Sequence, residues 1–250
     1  MSRRADTWTD KTLTAPHAVA DKAARVRRMF AAIAPSYDIN NRLHSLGRDQ
    51  SWRRAAVRAA RLRPGEHVVD VACGTGDLAL AFSLAGAGCV TGVDFTNEML
   101  LIARGKVRAA RHVVPRYLCG DALHLPVASG CADVVSIAFG IRNVADPAAA
   151  VAEFHRILRP GGRLVILEFS TPSASPLRQM YHFYFKRIMP RTAAFIARDR
   201  TGAYRYLPRS VDTFLGRTQM VDLIAGAGFE QTSMTSLTMG IAVVYLGVKR

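Results

Sequence analysis

His67-Val68-Val69-Asp70-Val71-Ala72-Cys73-Gly74-Thr75-Gly76-Asp77 is the stretch on which the fold turns. Its first five residues carry three valines and read as a short buried strand. Gly74 and Gly76 make a turn, and a helical stretch starts near Asp77. Strand, glycine turn and helix together open a βαβ unit. Glycine at such a turn lets backbone approach a ligand with no β-carbon in the way. Neither the GxGxxG spacing of dinucleotide sites nor the GxxxxGK[ST] spacing of phosphate loops is present. No lysine follows the glycines. Asp77 would repel a pyrophosphate and suits a ligand bearing a cationic amine or sulfonium.

Outward from this loop the alternation continues. Cys89 to Asp94 reads as a second strand with a helix from Asn97 to Ala110, and Arg116 to Cys119 as a third strand. Asp133 to Ile137 is a fourth, backed by a helix from Pro147 to Leu158, and Arg163 to Phe169 is a fifth. Strands alternating with helices predict an α/β fold with a mostly parallel sheet and right-handed crossovers. Arg159-Pro160-Gly161-Gly162-Arg163 is a structural turn before the fifth strand. A helical stretch near Gln219 to Ala225 precedes two runs, Phe229 to Thr235 and Ile241 to Val248, which predict an antiparallel hairpin at the sheet edge. In such sheets ligands bind beyond the strands' carboxyl ends. Asp94 sits there and can accept hydrogen bonds from ribose hydroxyls.

Residues 1–20 are polar and read as a mobile arm, and residues 21–250 as a single domain. Within it, residues 21–65 form a helical cover: a basic helix from Asp21 to Ala34 stopped by Pro35, then a helix from Gln50 to Ala60 with Trp52 on its apolar side. Residues 176–215 form a helical insertion on the substrate side, rich in aromatics and bases. The 250 residues are enough for one well-buried core, and half of them are hydrophobic. No run reaches the roughly 18 apolar residues of a membrane span, and no secretory signal precedes the domain. The four cysteines are widely spaced and read as buried thiols of a cytoplasmic protein. The net charge of +15 implies an anionic partner.

Several segments together resemble the ubiquinone/menaquinone biosynthesis C-methyltransferase family. They are Asp70 to Asp77, Asp94 with Glu98-Met99-Leu100, Phe139-Gly140-Ile141-Arg142-Asn143-Val144 and Leu167-Glu168-Phe169-Ser170. Tyr37-Asp38 with Asn41, Ser45 with Gly47, Trp52, Tyr204 to Leu207, Ser210 and Ala227-Gly228-Phe229 extend the likeness over residues 25–248. The chain departs from the family where glycine is frequent and Ala72 stands, where serine is frequent and Ala138 stands, and where His-Arg is frequent and Asp49-Gln50 stand. No catalysis is assigned to those last two positions.

The resemblance implies a class I methyltransferase, with S-adenosyl-L-methionine held by Asp70, Gly74, Thr75, Gly76, Asp94, Asp121 and Ala122. It implies methyl transfer to a ring carbon of a prenylated quinol, demethylmenaquinol to menaquinol. A 2-methoxy-6-polyprenyl-1,4-benzoquinol is the alternative acceptor, and another lipid or an RNA a more distant one. Such transfer needs alignment and phenol deprotonation, and no metal-ligand spacing is visible. Arg142 and Asn143, after the fourth strand, and Tyr37 and Asp38, from the cover, are the candidates for the acceptor side, with the general base left open. Arg142 either stabilises the phenolate or pairs with Asp146 and holds its loop. His155 reads as structural and His182 as a weaker base, while Tyr181, Phe183, Tyr184 and Phe185 read as core or as a prenyl groove. Ten arginines between Arg25 and Arg63, against Asp38 and Asp49, suit an anionic membrane surface, with the enzyme peripheral to its inner face. No base-reading motif supports a nucleic-acid partner, and self-association is left open.

Overall fold

The pattern closes into one seven-stranded sheet in the computed structural model, which describes residues 7–106, 113–172, 175–197, 199 and 201–250. β1 (His67–Val71), β2 (Cys89–Asp94), β3 (Arg116–Cys119), β4 (Ala132–Ala138), β5 (Leu158–Phe169), β6 (Phe229–Leu237) and β7 (Ala242–Lys249) lie in the order β3-β2-β1-β4-β5-β7-β6. The first five are parallel to one another, and β7 runs antiparallel to both β5 and β6. The expected parallel sheet with an antiparallel hairpin at its edge is the fold observed. The turn at residues 159–163 is drawn into β5, with a register shift opposite Ala132 and Val134.

Side-chain alternation splits each central strand between two cores. Val69 and Val71 of β1, with Leu164 and Ile166 of β5, pack under α7 (Pro147–Ile157) and α11 (Arg217–Gly226) through Phe154, Ile157 and Ile224. Val68, Val165 and Leu167 face the other way, toward α4 (Arg48–Ala59), α5 (Asp77–Leu84) and α6 (Asn97–Lys106) through Trp52, Phe82 and Leu100. The expected extension of α6 to Ala110 lies outside the described residues.

A third core joins the two ends of the chain. α1 (Asp10–Leu13), α2 (Lys22–Ile33) and α3 (Tyr37–His44) pack with α8 (Ser175–Phe183), a π-turn at Tyr184–Ile188, α9 (Met189–Ala197) and α10 (Ala203–Asp212). Trp8 is buried and stacks on Tyr206 with ring centroids 4.2 Å apart. The expectation of a mobile arm is therefore corrected for residues 7–13: an indole placed against a phenol ring removes enough apolar surface from water to order a short segment. α3 was also not foreseen. Pro35 does end α2, but inside a 3₁₀ turn, Ala34–Ser36, that leads straight into the next helix.

Candidate active site

Strand order reverses at β1, so the carboxyl ends of β1 and β4 flank the crevice where an open α/β sheet takes its ligand. The loops after β1, β2, β3 and β4 line one pocket there, with Gly74, Asp94, Asp121, Ala122, Phe139 and Asn143 among its walls. Asp94 is held from both sides: its Oδ2 accepts from the Gly74 amide and its Oδ1 from the Thr96 amide, each at 2.8 Å. Burial pushes its pKa up, and those amide bonds pull it back. Its carboxylate keeps lone pairs for two further donors from the pocket. Asp121 accepts from the Leu123 amide at 3.0 Å, which fixes the turn after β3.

Two non-glycine residues in this pocket adopt left-handed backbone, Ala72 at φ 49° and Phe139 at φ 56°. Such conformations cost of order 1–3 kcal/mol and persist only where neighbours hold them. Phe139 is held by its amide donating to the Leu167 carbonyl at 2.7 Å, and by Arg142 Nη1 and Asn143 Nδ2 donating to its carbonyl at 2.7 and 3.2 Å. The cover closes the pocket from above. Ala23, Val26 and Phe30 of α2 line it, and the buried Lys22 Nζ donates to the Val144 carbonyl at 2.6 Å. Burial, then the charge of Arg142, bring the Lys22 pKa down to about 8.

A second cavity, of about 460 Å³, lies between the cover and the helices that follow β5. Met29, Ile33, Tyr181, Phe185, Met189 and Leu207 make its walls largely apolar. Phe30, Tyr37 and Phe139 line both spaces, so the two meet at these three rings. Burial raises the pKa of Tyr37. The aromatics of residues 181–185 divide accordingly: Tyr181, Tyr184 and Phe185 line the cavity, while Phe183 is exposed.

The expected cofactor residues separate into two groups. Gly74, Asp94, Asp121 and Ala122 line the pocket, whereas Asp70, Thr75 and Gly76 do not. Asp70 lies behind the loop. Its Oδ1 accepts from Ser136 at 2.7 Å, its Oδ2 is without a partner, and burial pushes its pKa up to about 7. Thr75 donates to Asp38 at 2.6 Å. Gly76 is required by packing, since at φ 81° a β-carbon there would overlap Tyr117 Oη. Asp77 faces Lys106, at 2.6 Å, and Gln50 and Arg42. Its place near a sulfonium is thus not what the structure shows: its carboxylate is taken up by the Gln50 amide and by Lys106 and Arg42, away from the pocket lining.

Asp38 is likewise spent on a clamp. Its carboxylate joins Thr75 of the glycine loop to Lys106 of α6, the latter at 2.6 Å, and it lines neither main space. Arg142 lines the second cavity and Asn143 the first. Arg142 does form a buried ion pair, with Glu168 at 2.6 Å, whereas Asp146 caps α7. Asn143 has both ends of its amide engaged, accepting from Tyr206 Oη at 3.0 Å. His155 packs edge-on against Phe229, and His182 is 3.8 Å from Asp212 and off the cavity wall.

Sequence reasoning assigned Asp49 no catalysis and counted Arg53 with the basic residues of the cover. Both are buried on α4 and line the second cavity, paired at 2.9 Å, with Arg53 5.6 Å above the Phe139 ring. Arg53 therefore does not belong to the exposed basic face. The i to i+4 spacing of the two residues was the available signal.

The ubiE/COQ5 methyltransferase family matches residues 18–249. The ubiquinone/menaquinone biosynthesis C-methyltransferase of Geobacter sp. strain M21 is 42% identical over 242 residues, covering 93% of this chain and all of that protein. The demethylmenaquinone methyltransferase of Thermus thermophilus is 44% identical over 220 residues, 88% of this chain and 99% of its own. Among solved structures, a methyltransferase of Thermotoga maritima that depends on S-adenosylmethionine superposes with a TM-score of 0.64 at 22% identity, over 90% of this chain and 100% of its own, a likeness of fold. With its glycine loop and FGIRNV segment on one crevice and Phe169 of its LEFS segment on the adjoining cavity, the chain belongs to the ubiE/COQ5 methyltransferase family and is an S-adenosylmethionine-dependent C-methyltransferase.

Proposed function

We propose that the protein methylates the ring carbon of demethylmenaquinol, with the ring at the meeting point of the two spaces and the prenyl tail in the apolar cavity. The observation that carries this reading is the pair of spaces joined at Phe30, Tyr37 and Phe139, one polar at its rim and one large and apolar. The first fits S-adenosyl-L-methionine: Asp94 offers acceptors to ribose hydroxyls, Asp121 and Ala122 stand where an adenine edge is read, and Met99 and Leu123 are apolar walls. When bound, that cofactor supplies a methyl group on a sulfonium, already electrophilic.

The chain's own residues position the acceptor and take its proton. Phe139, held by Arg142 and Asn143, sets the floor between donor and acceptor. Arg142 donates to one ring oxygen, and its charge, balanced by Glu168, is fixed in place. Asp49 accepts the phenol proton, for it is the carboxylate on this cavity's wall. Loss of that proton makes the neighbouring ring carbon nucleophilic; once that carbon carries the methyl group it gives up its own hydrogen as a proton, which restores the aromatic ring, and the oxygen takes a proton back from Asp49. Thr75 and Asp38 hold the cover on the glycine loop, and Asp70 supports that loop from behind. The enzyme acts at the inner face of a membrane that carries its substrate; among the described residues no helix is long and apolar enough to cross one.

Mass spectrometry of the quinones in cells lacking this protein tests the reading. Accumulation of a naphthoquinone lighter by one methyl is the expected result. A methoxy-benzoquinone lighter by one methyl would assign the other acceptor, and an unchanged quinone pool would overturn both.

A further inference from the structure

Of the large apolar side chains left in water, one group lies on α3, Leu46 and α8 to α9, while Leu84, Leu101 and Met234 are exposed on other elements. Leu46, directly after α3, is 86% exposed, and Phe195 on α9 is 85% exposed. Ile39 and Leu43 on α3, Met180 and Phe183 on α8, and Ile188 in the π-turn are exposed as well. α3 packs on α9, and α9 continues α8 through the π-turn, so these residues share a surface. An exposed apolar patch of this kind marks an interaction site.

Two further observations say what covers it. The apolar cavity opens here: Leu46 and Met180 are both cavity wall and outer surface, and His44 meets Tyr184 Oη at 3.0 Å across the opening. The same surface is cationic. Residues 175–197 contain Arg178, Lys186, Arg187 and Arg191 and no aspartate or glutamate, and Arg42 and Arg48 flank Leu46. All six are exposed, with Lys186 paired to Asp212 and Arg42 to Asp77. Apolar residues amid cations fit the boundary between acyl chains and anionic headgroups. A second copy of the chain would set these like charges against each other across a two-fold axis.

We propose that the face made by α3, Leu46 and α8 to α9 docks on an anionic lipid bilayer, and that the acceptor enters between Leu46 and Met180 without leaving the bilayer. The entry route rests on the quinol reading given above; the docking face does not. The surface shares only Arg42 and Arg48 with the arginine-rich stretch that the sequence suggested. Arg54 and Arg58 of α4 lie over the sheet, where α4 packs on α5 and β5, and Arg53 is buried.

Flotation of the full chain with vesicles tests it. Wild type should bind vesicles of phosphatidylcholine with phosphatidylglycerol, less so as salt rises, and bind pure phosphatidylcholine weakly. Leu43→Ser with Phe183→Ser and Phe195→Ser should reduce binding by roughly tenfold or more, from lost apolar burial. Arg54→Gln with Arg58→Gln should leave it unchanged. With unchanged cofactor affinity as the folding control, the triple variant should keep turnover of a short-tailed quinol in solution and lose turnover of a long-tailed one in vesicles. Vesicle binding of the triple variant equal to wild type, or a dimer that the triple variant dissolves, would overturn the proposal. Failure to methylate any quinol would instead overturn the quinol reading, because flotation is read without turnover.

Discussion

At the residue scale the account rests on three carboxylates and one arginine. Asp94 was legible because its place at a strand end, after a glycine loop, is set by topology. Asp94→Ala should weaken cofactor binding about tenfold to a hundredfold, from the roughly 1.5–3 kcal/mol of each bond to a charged acceptor. Calorimetric titration checks this, and wild-type affinity would remove the assignment. Arg142 was legible as a site residue, but its partner Glu168 was not, since β5 brings it from 26 residues away. Arg142→Ala alone should cost about 3–5 kcal/mol by leaving Glu168 buried and unpaired, so a lowered kcat would not by itself show a role in turnover. Arg142→Met with Glu168→Gln should recover most of that stability and none of the kcat. Recovery of both on thermal and kinetic assay would make Arg142 a structural residue only. Asp49 was read as a departure from the family, and only the packing of α4 against the cavity gives it a function. Asp49→Asn should lower kcat by about 10²–10⁴ while cofactor affinity stays, and Asp49→His should restore part. Wild-type kcat in the Asn variant would exclude Asp49 as the proton acceptor.

At the element scale the sheet was readable because parallel strands buried on both faces are near-continuous apolar runs. β4 is an example, buried from Ala132 to Ile137. The cover was less so. α3 presents Ile39 and Leu43, an i to i+4 pair, to water and buries Asn40, the reverse of an ordinary amphipathic stripe, so its apolar spacing does not mark its packed face. The loop after β1 carries the sharpest element-level prediction. Ala72 and Gly76 both have positive φ, yet should respond oppositely. Ala72→Gly relieves left-handed strain of about 1–2 kcal/mol, offset in part by the unfolded chain's greater freedom, and should stabilise by up to about 1 kcal/mol. Gly76→Ala adds strain and a collision with Tyr117, and should destabilise by about 1–3 kcal/mol. Denaturant melts of both variants check the pair; destabilisation by Ala72→Gly would mean that its methyl group packs against the Gly140 turn to greater effect than the strain it costs.

At the scale of the whole molecule, one crevice takes the cofactor and one apolar cavity runs from its inner end to an apolar, cationic face. Only the crevice could be read from the sequence, because its parts lie in short local motifs. The cavity is assembled from α2, α3, α4 and the helices of residues 175–212, which are distant in the chain and meet only through the third core. In the proposed reading, that arrangement would present a quinol ring carbon to the methyl donor. The direct measurement is transfer by the purified protein from S-adenosylmethionine carrying a deuterated methyl group to demethylmenaquinol, with fragment mass spectrometry of the product. The label should appear on a ring carbon, and the phenol oxygens should remain unmethylated. Label on oxygen, or none on any quinol while the cofactor still binds, would contradict the account.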